Sequence, residues 1–123
     1  MHIHNLYEDQ AGVSHFRDIE VEWEELRPSN KFSARQPASG IVFRETTKDY
    51  TVDWHPAPRR QYVINLDSAV HITAGDGETR YIGPGEIVLV EDTTGKGHIT
   101  HAAGTEDHVA LAVPVPDGVF AKR

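Results

Sequence analysis

Eight histidines and no cysteine in a chain of 123 residues make imidazole the group most able to do chemistry here. An imidazole titrates near neutral pH, so it can act as general acid, general base or metal ligand. Without cysteine, disulfides, thiolate catalysis and Cys-ligated zinc are excluded. Two of the histidines stand where the chain should carry them inside. His55 ends the stretch Tyr50-Thr51-Val52-Asp53-Trp54-His55, just ahead of Pro56-Ala57-Pro58. His98 follows Thr94-Gly95-Lys96-Gly97, whose glycines allow a sharp bend. A histidine delivered to the start of a buried strand is either a core residue or part of a site.

Other candidates are weaker. His2 and His4 share one face of a strand and could bind a metal, but adventitiously, at a terminus. His98 and His101 fall on opposite faces and make a poor ligand pair. The run Thr94 to Gly97 lacks the upstream glycine and the Ser/Thr after Lys96 that a phosphate loop needs. Arg59 and Arg60 read either as solvated arginines or as a gate for anions. Glu91 and Asp92 are adjacent, so on a strand they point apart and merely flank the loop.

The elements that must position these residues read as strands. Gly83-Pro84-Gly85-Glu86 is a tight turn, and Ile87 to Val90 are four consecutive apolar residues, the pattern of a strand covered on both faces. Residues 1–12 suggest an edge strand carrying Ile3 and Leu6. Over residues 14–27 a helical spacing (Phe16, Ile19, Trp23, Leu26) competes with an alternation (Ile19, Val21, Trp23), and the β-branched residues favour the strand. Pro28 to Gly40 is a polar loop long enough to act as a flap. From Ile41 onward short strands recur: Ile41 to Glu45, Tyr50 to His55, Gln61 to Leu66, Ala69 to Thr73, Glu78 to Ile82, Ile87 to Val90, the strand opening at His98, and Asp107 to Val115. Gly75-Asp76-Gly77 is a hairpin signal among them. Short strands about ten residues apart, with turn chemistry between, predict an all-β sandwich or barrel.

The run from His55 to Asp67, followed after a hairpin by Gly83-Pro84-Gly85-Glu86 and then His98, resembles the cupin family. The resemblance implies a jelly roll, or double-stranded β-helix barrel, holding a metal on three histidines and a glutamate. It covers roughly residues 40–115. His55 matches the first histidine and His98 the last, but Ala57 replaces the second histidine and Gln61 the glutamate. The expected architecture is therefore a single cupin domain over 1–123, with N-terminal strands and loop at 1–40 and the barrel core at 41–115. Strand alternation then places Asp53 and Ala57 on the side of His55, Gln61, Val63 and Asn65 on the next interior strand, and His98 with Thr100 opposite.

The expected site has His55, His98 and Gln61 as catalytic residues, with Asp53, Val63, Asn65, Arg59 and Thr100 contacting substrate. As metal ligands His55 and His98 form an incomplete set, so the expected cofactor is none or a weakly bound divalent ion. The expected activity is His-mediated proton transfer on a small organic metabolite, of isomerase, lyase or decarboxylase type. A non-catalytic binding or sensing domain and a metal-dependent oxygenase-like cupin are the alternatives. The net charge of −7, spread along the chain, argues against nucleic acid. No apolar run is long enough to span a bilayer, and the first residues lack the basic-then-apolar signal pattern, so a cytoplasmic protein is expected. Trp54, Tyr62, Ile64 and Leu66 form an apolar outer face that predicts a homodimer.

Overall fold

The computed structural model describes residues 1–116; the end of the expected domain, 117–123, lies outside the described residues. In chain order the strands are β1 (His2–Glu8), β2 (Ser14–Glu20), β3 (Glu25–Leu26), β4 (Lys31–Phe32), β5 (Val42–Thr46), β6 (Thr51–His55), β7 (Gln61–Asn65), β8 (Val70–Thr73), β9 (Thr79–Ile82), β10 (Ile87–Val90), β11 (His98–Ala102) and β12 (His108–Pro114). No helix occurs among the described residues, and so none that could cross a membrane. The fold is all-β, as the alternation and turn spacing predict.

A six-stranded sheet runs β2-β1-β10-β7-β12-β5 and a four-stranded sheet runs β6-β11-β8-β9, with β3 and β4 forming a small separate hairpin. Neither large sheet closes on itself. The two pack face to face, because one core cluster takes Leu6, Phe16, Val88 and Val90 from the larger sheet and Ile72 and Ile82 from the smaller. A second cluster, Ile3, Ile19, Leu89 and Val115, lies on the opposite, outer face of the larger sheet. Strand β10 explains why four apolar residues run together: Val88 and Val90 belong to the inner cluster, while Leu89 belongs to the outer one. Each fully buried leucine or isoleucine contributes about 1.5–3 kcal/mol.

The register fixes which residues share the inner face. Val63 of β7 lies opposite Val88 of β10 and Ala112 of β12, and Ala112 lies opposite Val42 of β5. Asn65 and Arg44 both face Ala110. Small side chains at Ala110 and Ala112 leave this part of the interior unfilled.

Two expectations about the N-terminal region are corrected. Strand β1 is no edge strand: it pairs parallel with β10 and antiparallel with β2, which takes the edge. Parallel pairing joins segments more than eighty residues apart, and nothing local in the sequence marks it. The segment after β2 is no cavity flap. Its Gln36 Oε1 accepts from Tyr62 Oη at 2.7 Å, and Ser39 N donates to the Pro114 carbonyl at 2.9 Å, so it lies over the outer face. The strand reading of 14–27 holds as far as Glu20, with Phe16 and Ile19 entering different clusters.

Candidate functional site

Between the sheets lies a cavity of about 470 Å³, within the range of sites for small molecules. His55, Gln61 and His98 all line it, as do Val63, Asn65, Arg59 and Thr100. The sequence-derived residues are thus brought together with one exception, Asp53.

The exception has a geometric cause. His98 pairs with His55, but Thr100 pairs with Val52, so β6 advances three residues while β11 advances two. This bulge inserts an extra residue into β6 and breaks the alternation that would place Asp53 beside His55. Asp53 is exposed, outside the cavity lining, and its Oδ1 accepts from the Trp54 amide at 2.8 Å. It still serves the site through its backbone, since His55 Nδ1 donates to the Asp53 carbonyl at 2.9 Å.

His98 is held from the other side. Its Nδ1 lies 2.5 Å from Asp92 Oδ2, and Asp92 has no exposed surface. A carbonyl only accepts, and so does a carboxylate, so the neutral-state proton lies on Nδ1 of His55 and, with Asp92 ionised, on Nδ1 of His98. Nε2 is then the basic nitrogen of each ring. The two ring centroids are 4.7 Å apart with planes inclined by 52°. Asp92 is therefore the orienting partner of His98, correcting the expectation that it only flanks the loop. The chain bends back between Asp92 and His98, so strand alternation does not apply to this pair. An aspartate six residues ahead of a histidine, across a glycine-rich loop, was the available signal.

Gly97 makes the histidine pairing possible. Its φ of +82° is a left-handed conformation, and a Cβ there would overlap the His55 carbonyl and the Pro56 nitrogen. Ser14 Oγ anchors the same loop by donating to the Gly97 carbonyl at 2.7 Å.

Gln61 is only 6% exposed, and its Oε1 is buried without a hydrogen-bond partner among the described residues. A buried carbonyl oxygen left this way is costly, and the residue that carries it also lines the cavity. Asn65 is committed otherwise: its Nδ2 donates to the Ile82 carbonyl at 3.0 Å. Arg60 is no gate residue, because it is buried and bonds Glu91 Oε2 at 2.5 Å and the Pro116 carbonyl at 2.9 Å. Its neighbour Arg59 is exposed and does line the cavity. Sequence reasoning missed Arg44, Thr46, Tyr50 and His108, which line the cavity away from the histidine pair. His108 opens its strand as His98 does, which was the signal for it.

The cavity residues do not fit the metal set that the cupin resemblance implies. Ala57 is buried in the inner core cluster and offers no ligand, and Gln61 offers a neutral amide in place of a carboxylate. Among the described residues, three donor atoms come within 4.8 Å of one another only at His2, His4 and Asp18. That group could hold a metal ion. Its donors already have partners: Arg80 Nη1 lies 2.6 Å from Asp18 Oδ1 and 3.1 Å from His4 Nδ1, while His4 Nε2 lies 2.8 Å from Glu86 Oε1. An ion would have to displace the Arg80 guanidinium. No protein-family model matches the chain, and no curated protein matches it in sequence.

Proposed function

We propose that this chain is a cupin-like jelly roll whose cavity carries out proton transfer on a small organic metabolite. The order β5-β12-β7-β10 facing β6-β11-β8-β9 is the interleaved pattern expected of an eight-stranded jelly roll, and it supports the fold reading. The observation that carries the activity is the Asp92–His98–His55 arrangement. A buried carboxylate fixes one imidazole, a backbone carbonyl fixes its neighbour, and both present Nε2 as the free base.

On a carbonyl compound the step is as follows. His98 Nε2 removes a proton from the carbon next to the carbonyl, and the C–H electron pair shifts to form the enolate. The Gln61 amide NH₂ donates to the enolate oxygen. The proton held on His98 Nε2 then returns to carbon, directly or after exchange with solvent, so that His98 ends as the free base it began as, while His55 Nε2 accepts a hydrogen bond from a substrate hydroxyl. General acid–base catalysis of this kind contributes about 10²–10⁴-fold.

The test is deuterium incorporation from D₂O into a panel of small ketones and of oxo acids whose carbonyl stands at varied distances from the carboxylate, followed by proton NMR. Exchange in the wild type that falls by about 100-fold or more in His98→Asn, and about 10- to 100-fold in Asp92→Asn, supports the reading. Binding of panel members without exchange in any of them replaces it with a non-catalytic binding domain.

A homodimer is part of the proposal. The outer face of the larger sheet carries Ile87, Ile64, Leu111 and Phe43 in direct register across four strands, with Phe43 78% exposed. A second copy covering this row is the partner that the pattern suits.

A further inference from the structure

The cavity is polar at two ends, and the function proposed above uses one. Gln61 and Asn65 lie four residues apart on β7, about 13 Å at roughly 3.3 Å per residue. His55 and His98 sit near the Gln61 end, where the Ala57 amide donates to the Asp92 carbonyl at 3.0 Å. Strand β11 runs from His98 to Ala102, and Ala102 N donates to the Tyr50 carbonyl at the opposite end. There Arg44 Nη2 donates to Tyr50 Oη at 3.2 Å, and Arg44 faces Ala110 beside Asn65. Between the ends the wall is mostly apolar, with Val42, Val63, Val70, Ile72, Val88 and Ala112 beside Thr100, which pairs with Ile72.

The far end has the chemistry of an anion receptor. Arg44 is partly buried and forms no ion pair with a carboxylate among the described residues. Among the described residues no aspartate or glutamate lines the cavity, although the chain carries 19 acids against 12 lysines and arginines. Thr46 Oγ1 is buried without a hydrogen-bond partner among the described residues, and Thr46 pairs in register with His108, which is 6% exposed. A guanidinium partly withdrawn from water, with no carboxylate partner among the described residues, gains from an anion beside it.

We propose that Arg44, with Thr46, Tyr50 and His108 around it, forms a carboxylate-recognition subsite. It binds organic acids whose apolar body fills the valine belt and whose far end reaches His55 and His98. One arginine supplies the charge for a monoanion in a bidentate fork; a phosphate would call for more cations. The subsite stands on the far-end residues alone. It rests on the proton-transfer reading only for what happens at the other end.

Titration calorimetry near neutral pH with butanoate, hexanoate and octanoate, each set against the corresponding 1-alkanol, tests it. The expected result is that hexanoate binds at least tenfold more tightly than 1-hexanol. Arg44→Gln abolishes that preference, Arg44→Lys retains part of it, and Arg27→Gln, outside the cavity lining, leaves it in place. His98→Asn retains the preference while losing any turnover, so failure of the acid–base reading is separable from failure of the subsite. Equal binding of acid and alcohol by the wild type overturns the proposal even if Arg44→Gln does not fold. A preference that survives Arg44→Gln, or tighter binding of hexyl phosphate than of hexanoate, overturns it as well.

Discussion

His98 and His15 show how much a histidine's role depends on what holds it. His98 has a buried carboxyl group on one ring nitrogen and lines the cavity, an arrangement that suits a base. His15 has a carboxylate on each: Asp9 Oδ2 at 2.7 Å and Asp76 Oδ2 at 2.9 Å. Its role is to clamp the β1–β2 turn to the β8–β9 hairpin. The hydrogen bond to Asp9 raises the His15 pKa above its usual 6.5 against the opposing effect of burial, and Asp76 adds to the rise. The same bond, helped by the Val13 amide, lowers Asp9 below 3.8. A raised histidine pKa contributes stability that is fully present below the unfolded value and is lost as pH rises through the folded one. The lowered Asp9 contributes above its unfolded value and loses that contribution in acid. The clamp is therefore strongest between about pH 4 and 6.5. Melting temperatures of wild type and His15→Gln should differ most near pH 5–6 and converge toward pH 8. A difference that grows with pH would contradict this.

Among the elements, the loop between β10 and β11 positions the site through backbone contact. Gly97 presses against the His55 carbonyl in a left-handed conformation, so a methyl group there meets both strain and a fixed backbone atom. Gly97→Ala should cost upwards of about 2 kcal/mol in urea unfolding. The control Gly104→Ala, with nothing within 4 Å of its added Cβ, should change by no more than about 0.5 kcal/mol. Equal effects at the two positions would remove the close-approach argument. The strands and the catalytic candidates were legible because alternation and turn residues are local signals. The run Ile87 to Val90 announced its two covered faces, and the resemblance of the His55, Gln61 and His98 spacing to cupins is what placed them on inward positions. What stayed hidden was non-local or irregular. The bulge that turns Asp53 away is set by pairing with β11. The parallel pairing of β1 with β10 and the approach of Asp92 to His98 depend on how distant segments meet. Arg44 escaped notice because a polar residue on an edge strand ordinarily faces water.

For the molecule as a whole, the contrast is between a net charge of −7 and a cavity that no acid among the described residues lines. The apolar exterior is also uneven. Trp54, expected on the dimer face, belongs to the smaller sheet and is capped by Lys96 Nζ, 4.0 Å from its ring centroid. Tyr62 is covered by the segment carrying Gln36. Ile64 and Leu111 remain, flanked by exposed Phe43 and Leu66. Light scattering at tens of micromolar is expected to give a dimer mass, and Phe43→Glu combined with Leu66→Glu a monomer that keeps its β-sheet circular dichroism. A monomeric wild type would remove the dimer proposal and leave the cavity untouched.

The central claim is that two imidazoles share one cavity with Nε2 as the free base on each. Long-range proton–nitrogen correlation spectra of the histidine side chains measure this directly, with His55 and His98 assigned from His55→Asn and His98→Asn. At a pH where the rings are neutral, both residues should show the Nδ1–H tautomer, with a pyridine-type Nε2 signal. Addition of a cavity ligand should move those two Nε2 resonances together. An Nε2–H tautomer at His98, or Nε2 signals indifferent to every ligand that binds, would contradict the account.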